Sequence, residues 1–569
     1  MAVMLNKRDL TSFRFDWSMK MRTIIRVVEY LSLYRSRIYK SQLTYNVKLQ
    51  KHLNIIPLLI QTGNYGTLIE KGIKNSTCGE LSLVDVGTQV KLRGFLQYQR
   101  HGMFCVLRDA FGITQVIVNN DELTAKLDKI TFESYVEVIG EVLERPEGQT
   151  NTAMKTGEIE VLAQELNVVN KARKDIPFLI RNHNMPSESL ALKYRYLDLR
   201  HPHLQDNLRF RSKVGKQIRD YLQDVENFTE ITTPTLSINT PGGAHEFVVP
   251  TQFEKKFFSL TQSPQIYKQL AVIGGFEKYF QFAICYRDES GRPDRQAEFM
   301  QLDLEMSNAN FPEIQTLMES LIKYSWPKEL NPLKTPFPIM RYDEAMENYG
   351  SDKPDLRFSF KISDVTDIAS QSDWTPIRSA LQGNMVVAKA FVMTGGGEYI
   401  KKSHQKSWEE IAKKEIGLPG VSLLKVQNKN ILKPMTGKAF SEKLSQLFVN
   451  HLEAKEGDVI VMSVGHKSKV LKLLGKLRLA AAEVLENNKI FVRDKEEFNF
   501  LWVTDFPLFE MDETTEKLIT CHHPFTAPKP DHIQKLYENP LEVLSQHYDL
   551  VLNGCEIAGG SIRIYEEKI

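Results

Sequence analysis

Residues 281–306 constrain the fold of this chain more than any other stretch. They read as two β-strands joined by a charged, turn-rich connection. From Phe299 to Met306 the polar Gln301, Asp303 and Glu305 alternate with Leu302, Leu304 and Met306, so three polar side chains share one face of a strand. On the first strand, Arg287 and Glu289 share a face with Cys285. Carboxylates on a sheet face cost several kcal/mol if buried unpaired, so this hairpin demands cations, a metal ion or a ligand amine. Arg287, together with Arg292 and Arg295 in the connection, supplies what a polyphosphate needs.

Two further clusters carry the same signature. Ser263-Pro264-Gln265 predicts an N-cap, a proline at the first helical position and a helix whose apolar side is Ile266, Leu270 and Ile273. Gln265 and Lys268 lie three apart, on one face at the N-terminal turn. A lysine there opposes the helix dipole, so an anionic ligand explains it better than helix stability, with a solvated lysine as the bland alternative. The last cluster is His522-His523-Pro524-Phe525 followed by Tyr548–Ile564, where Asn553-Gly554 predicts a two-residue hairpin turn. Leu552 then pairs with Cys555, Val551 with Glu556 and Asp549 with Ala558, which puts Asp549 and Glu556 on one side. Two adjacent carboxylates suit Mg2+, a hard ion that takes oxygen ligands. Arg563 has the opposite parity and joins that face only if Gly559-Gly560 hold a bulge. The two histidines lack the spacing to a third ligand that zinc requires.

At about 150 residues per domain, 569 residues predict three to four domains. A 42% hydrophobic and 25% charged composition is that of a globular protein. The net charge of +2 hides an asymmetry: residues 1–60 hold eleven Lys and Arg against three acids, and the remainder is net acidic. An Arg-rich, acid-poor start with no unbroken apolar core reads as an organelle transit peptide; a basic nucleic-acid-binding arm or a misassigned start are the alternatives. The longest apolar stretch, Leu53–Ile60, is broken by Pro57 and falls short of the roughly 18 residues a membrane span needs. Five cysteines without a CxxC pair indicate a reduced protein and no disulfide framework.

After the basic leader (1–77), residues 78–170 read as a small barrel of the OB type. The runs Val90–Leu96, Met103–Arg108, Thr114–Val118 and Tyr135–Leu143 are strand-like, with turns at Gly102, Gly112 and Pro146–Gly148. Phe104 beside Arg100, with Gln115 on the next strand, could stack and read an unpaired base, although a strand Phe is more often core. A polar hinge (171–200) ends in Tyr194–Arg200. A helix from Leu204 to about Val225, with Leu208, Val214, Ile218 and Leu222 at helical spacing, reads as a dimer-forming unit and opens a further part (201–356). Residues 357–473 read as an insertion domain, and 474–569 as the continuation of the part it interrupts.

Together these segments spell a family. Gln262–Gln269 (QSPQIYKQ), Cys285–Glu305 (CYRDESGRPDRQAEFMQLDLE), His522–Pro528 (HHPFTAP) and Asn553–Arg563 (NGCEIAGGSIR) closely resemble class II aspartyl-tRNA synthetases of the bacterial and mitochondrial type, from about residue 78 onward. The resemblance implies an α+β multidomain fold: an N-terminal OB-fold β-barrel, a class II antiparallel sheet flanked by helices, and an α/β insertion domain, with 201–356 and 474–569 as the two parts of a catalytic domain. It implies aspartate activation by ATP and transfer to tRNA(Asp) in the mitochondrial matrix, by a homodimer with no membrane association. Arg563 and Lys268 match the residues that hold the substrate's side-chain carboxylate, and Asp303 and Gln265 lie near its ammonium group. Arg287 matches an α-phosphate ligand that also reaches aspartate; Asp288, Glu289 and Gln296 match ATP-contacting positions. Glu556 with Asp549 would carry Mg2+, and His522 and His523 match a substrate-closing loop. Arg287, Glu556 and Arg563 are thus the catalytic candidates. Phe104, Gln115, Glu160 and Arg100 match anticodon-reading positions, which reverses the core reading of Phe104.

Departures accompany the resemblance. Gly242 stands where the bacterial enzymes carry Glu, Ala297 replaces a usual proline, Met300 a threonine and Ala558 a glycine, whose added methyl is expected to crowd the hairpin beside Glu556. The resemblance also implies a third motif with a GLDR-like run whose arginine clamps ATP, and no such run occurs. The chain as written is therefore expected to have a core sheet short of a strand and weak adenylation, as an incomplete gene model or a shortened isoform. The alternative function is a non-catalytic tRNA- or RNA-binding form. A lysine- or asparagine-specific relative conflicts with Lys268 plus Arg563.

Overall fold

The computed structural model describes residues 72–569 except 182–184, 239–244, 289–295, 373–374, 384, 429–430, 438, 491 and 513–515. The described residues fall into two compact units, one ending at Lys213 and one beginning at Val214. Most of the basic leader lies outside them, as do Gly242, Glu289, Arg292 and Arg295.

In the first unit, strand Gln89–Arg100 pairs with Tyr135–Glu144 through its first half and with Phe104–Arg108 through its second. Ile113–Ile117 and Ile159–Asn170 complete the circuit, the latter pairing back onto Tyr135–Glu144. A strand shared between two neighbours must bend, and the register shift between Leu96 and Tyr98 supplies the bend. The result is a closed barrel filled by Val90, Leu92, Leu107, Val116, Val138 and Val161. The sequence reading found the first four strands. It left unassigned the fifth strand and the helix Asp121–Leu127, capped by the Asn120 side chain on Glu122 N. Glu133 ties the barrel to the segment that follows it: it accepts from buried Arg108 at 2.8 Å and from half-buried Arg200 at 3.0 Å.

The second unit holds the antiparallel hairpin. Lys278–Tyr286 pairs with Glu298–Met306 over nine residue pairs without a register shift, and Thr229–Glu230 adds a short parallel strand. A separate four-stranded sheet runs Ile339–Arg341, Phe500–Thr504, His547–Leu552, Cys555–Ser561. It packs an aromatic layer of Trp326, Phe337, Phe500 and Trp502 against the helix Phe311–Ser325. That helix begins with an Asn310/Glu313 capping box and Pro312. Its buried Glu319 accepts from Trp502 Nε1 and the Phe337 amide, each at 3.0 Å.

The helix expected from Leu204 runs over Pro202–Asp220 and widens into a π-helical turn, Tyr221–Val225. Val214, Ile218 and Leu222 are buried as expected, whereas Leu208 is exposed.

The insertion segment is a five-stranded sheet, antiparallel at every pairing, with apolar clusters on both faces. Helix Lys467–Asn487 lies across it and continues past the boundary expected at residue 473. The reason is local: Val470, Leu474, Leu477, Ala481 and Leu485 form one continuous buried stripe.

Candidate functional site

The long hairpin carries the site on one face. Cross-strand pairing puts Tyr279 opposite Glu305, Gln281 opposite Asp303 and Cys285 opposite Phe299. Cross-strand partners share a face, so the first strand's Gln281 joins the predicted Gln301, Asp303 and Glu305 there. Tyr279 OH donates to Gln281 Oε1 at 2.8 Å, which fixes the floor of this face.

The helix Gln265–Ile273 delivers the cation, in a way that inverts the sequence expectation. Pro264 rather than Ser263 is its cap, with no side-chain cap bond. Of the supposed apolar side, Leu270 is 59% and Ile273 81% exposed, while Lys268 is only 5% exposed. The lysine turns inward because two carboxylates are waiting: its Nζ lies 2.8 Å from Asp303 Oδ1 and 3.1 Å from Glu305 Oε2. Burying it without partners would cost several kcal/mol.

Arg563 completes the cluster. Its Nε lies 3.3 Å from Glu305 Oε1, and its other nitrogens donate to Gln265 Oε1 at 3.4 Å and Ser561 Oγ at 3.1 Å. Two cations thus face two carboxylates, with Gln265 beside them. Burial raises the Asp303 carboxyl above its ordinary value despite Lys268. Burial also opposes ionisation of Glu305, but Lys268 and Arg563 outweigh it and hold that carboxyl low. Asp303 Oδ2 and Gln265 Nε2 are buried and have no hydrogen-bond partner among the described residues. One acceptor and one donor are therefore available at the same place. Glu305 was legible as a polar position on the strand, but nothing in its spacing distinguished it from Gln301.

The bulge that brings Arg563 to this face lies elsewhere than expected. The hairpin turn at Asn553-Gly554 has both residues at positive φ, as an Asn-Gly turn requires. Val551 pairs with Glu556 as anticipated, but Asp549 then pairs with Gly559, so Ile557 is the extra residue. This puts Asp549, Glu556, Gly559 and Ser561 on one face, and Arg563 follows. Gly559 has a different role: a Cβ there would sit 2.6 Å from Asp549 Oδ1 and 3.6 Å from Glu556 Oε1. The two carboxylates converge over the missing side chain. Burial, and then the charge of Asp549, raises the Glu556 carboxyl, so a cation between them would relieve both. The pair fits a hard divalent ion as two oxygen ligands; no group of three or more His, Cys, Asp or Glu side chains forms a cage among the described residues. Ala558 does not crowd Glu556: it is paired with Leu550 and packs with the Trp502 cluster on the other face.

The His522–Phe525 loop folds over Arg563. Phe525 lies 3.8 Å from its guanidinium, and His523 stacks on Phe525 at 3.6 Å. His522 stacks on His547 at 3.6 Å, and burial, with His547 beside it, pushes its ring down to about 4. Phe525 was named within the His522–Pro528 motif but given no role, and His547 lies outside every motif the sequence shows.

Arg287 stands at the end of the first strand, 5.1 Å from the Phe299 ring, and makes no side-chain hydrogen bond or ion pair among the described residues. Asp288 and Gln296 are exposed beside it. Glu289 lies outside the described residues.

On the barrel, register settles the second candidate surface. Phe104 pairs with Arg100 and Ile117, and Val106 with Gln115, so Arg100, Phe104 and Gln115 share the face opposite the core residues Cys105, Leu107 and Val116. Phe104 is half-buried rather than core. Gln115 Nε2 donates to Glu160 Oε2 at 2.8 Å, joining the fourth residue to the set. An aromatic flanked by an amide, a carboxylate and a cation is chemistry suited to an unstacked base.

Residues 187–569 match the family model "tRNA synthetases class II (D, K and N)", and residues 90–169 match that of the OB-fold nucleic acid binding domain. The chain is 43% identical over 501 residues to the mitochondrial aspartate--tRNA ligase of Bos taurus, spanning 87% of this chain and 77% of that one. It is 38% identical over 503 residues to the aspartate--tRNA ligase of Shouchella clausii, spanning 86% of this chain and 83% of that one. A solved aspartyl tRNA synthetase from Entamoeba histolytica is similar at 18% identity and a TM-score of 0.49, over 89% of this chain and 82% of that one.

Proposed function

The chain belongs to the class II tRNA synthetases, in their aspartate--tRNA ligase branch, and we propose that it activates L-aspartate with ATP and passes the aspartyl group to tRNA(Asp) in the mitochondrial matrix. The observation that carries this reading is the buried pair of cations, Lys268 and Arg563, set against Asp303 and Glu305.

Lys268 and Arg563 take the substrate's side-chain carboxylate, where a neutral amide would leave both cations undercompensated. Asp303, whose Oδ2 has no partner among the described residues, takes the ammonium group, and Gln265 lies alongside through its Nε2, which has none among them either. Glu305 offsets one of the two positive charges and fixes the spacing of the cations. Arg287, with no side-chain hydrogen bond or ion pair among the described residues, binds the α-phosphate and stabilises charge as the aspartate carboxylate attacks. Asp288 and Gln296 contact ATP, and Glu289 is a third candidate for that contact. His522 and His523 close over the amino acid. Asp549 and Glu556 would hold Mg2+, which would supply neutralisation of phosphate charge. No side-chain nucleophile is required, since positioning and electrostatics carry the step.

Phe104, Gln115, Glu160 and Arg100 read the tRNA anticodon. In the second unit, the strands Leu236–Ser237, Val248–Pro250 and Phe257–Leu260 form a small antiparallel sheet whose exposed Leu236, Val248, Phe257 and Phe258 support a homodimer. The Arg-rich leader and the mitochondrial relatives support the location. No helix among the described residues is long and apolar enough to cross a membrane.

The test is a thermal-shift series with non-hydrolysable sulfamoyl analogues of aspartyl-, asparaginyl- and lysyl-adenylate, beside filter binding of a tRNA(Asp) transcript. Stabilisation by the aspartyl analogue alone, and loss of tRNA binding when the anticodon is replaced, is the expected result. Equal stabilisation by all three analogues would defeat the assignment.

A further inference from the structure

His547 belongs to neither the carboxylate pair nor the aspartate cluster, yet it touches Asp549 of the pair and His522 of the loop over Arg563. Its Nε2 donates to Asp549 Oδ1 at 3.0 Å. Its ring lies flat against that of His522, with centroids 3.6 Å apart and planes 14° apart. Phe506 meets both rings edge-on, at 5.1 Å from His522 and 5.0 Å from His547, which closes the side of the stack. Cross-strand, His547 faces Ser561, whose hydroxyl accepts from Arg563.

An imidazole gripped at one nitrogen by a carboxylate and walled in by an aromatic edge has one ring orientation left. A ring stacked on it inherits that orientation. His522 Nε2 is buried with no partner among the described residues, so its direction is set by the stack and not by a bond of its own. A hydrophobic side chain at position 547 would serve the core equally well; the bond to Asp549 is what core packing leaves unexplained.

We propose that His547 is a positioning residue for aspartate: anchored by Asp549, it holds the His522 ring in the orientation in which Nε2 meets the bound amino acid. This rests on the aspartate-binding reading above. It predicts that His547 acts on aspartate only through His522.

The test is a double-mutant cycle read by calorimetric titration of the full chain with L-aspartate. His522→Ala and His547→Ala are each expected to weaken binding about tenfold, and the double variant about tenfold also, because contacts that act in series do not add. His547→Phe keeps the stack without the anchor and falls between wild type and His547→Ala. Tryptophan-monitored unfolding of each variant is expected to match wild type, and a His547→Ala chain that fails to fold leaves the Phe variant to decide. Additive losses, or full affinity in the Phe variant, would overturn the inference while leaving the aspartate reading intact. If the wild-type chain binds no aspartate, the functional reading fails and this inference goes with it.

Discussion

Replacing Lys268 by methionine isolates the electrostatics of the pocket. Its Nζ sits 2.8 Å from Asp303 and 3.1 Å from Glu305, and all three side chains are nearly buried. Methionine keeps the length and removes the charge. Glu305 retains Arg563 at 3.3 Å, but Asp303 loses its only ion-pair partner among the described residues. Removing one member of a buried pair costs about 3–5 kcal/mol, mostly through the charge left behind. The pH dependence distinguishes this from a packing defect. The Asp303 carboxyl is raised by burial, and Lys268 is the main force holding it down. Without Lys268 it rises further. A carboxyl raised on folding keeps its proton in the native state, so stability declines as pH climbs through the folded value. Glu305 has the opposite sign: its depressed carboxyl stabilises above its unfolded value and loses that contribution on acidification. In Lys268→Met the Asp303 contribution grows and the Glu305 contribution shrinks. The variant's deficit should therefore be largest at about pH 7.5 and much smaller at about pH 5. Urea unfolding followed by the fluorescence of buried Trp326 and Trp502 measures it. A deficit below about 1 kcal/mol at both pH values would refute the buried-pair argument.

Three other outcomes are expected. Phe104→Ala should weaken binding of a tRNA(Asp) transcript by about 1–3 kcal/mol in filter binding, with aspartate titrations unchanged. Gly559→Ala pushes a methyl against Asp549 Oδ1 and should weaken Mg2+ about 10-fold or more, measured by calorimetry. Glu319→Leu strands the Trp502 indole N–H and the Phe337 amide, each a loss of about 1–3 kcal/mol, visible as an earlier urea midpoint.

Where local chemistry decides, the sequence was legible. The alternation through Gln301, Asp303 and Glu305 and the Asn553-Gly554 turn were both readable, because strand parity and turn type are short-range properties. The helix at Gln265 was misread because its amphipathicity was judged by apolar residues alone. Two carboxylates on a different element draw Lys268 in and leave Leu270 and Ile273 outside. The bulge was placed at the glycines because glycine tolerates one. The backbone instead inserts Ile557, since the closeness of Asp549 and Tyr548 is what requires Gly559 and Gly560. His547 and Phe525 act through ring contacts to residues distant in sequence, and no spacing rule encodes those.

The central claim is that Lys268 and Arg563 select a side-chain carboxylate. Parallel calorimetric titrations with L-aspartate and L-asparagine address it most directly. Two undercompensated cations correspond to about 3 kcal/mol, so asparagine should bind about 100-fold more weakly than aspartate, and Arg563→Met should shrink that gap chiefly by weakening aspartate. Equal affinities in the wild-type chain would contradict the account.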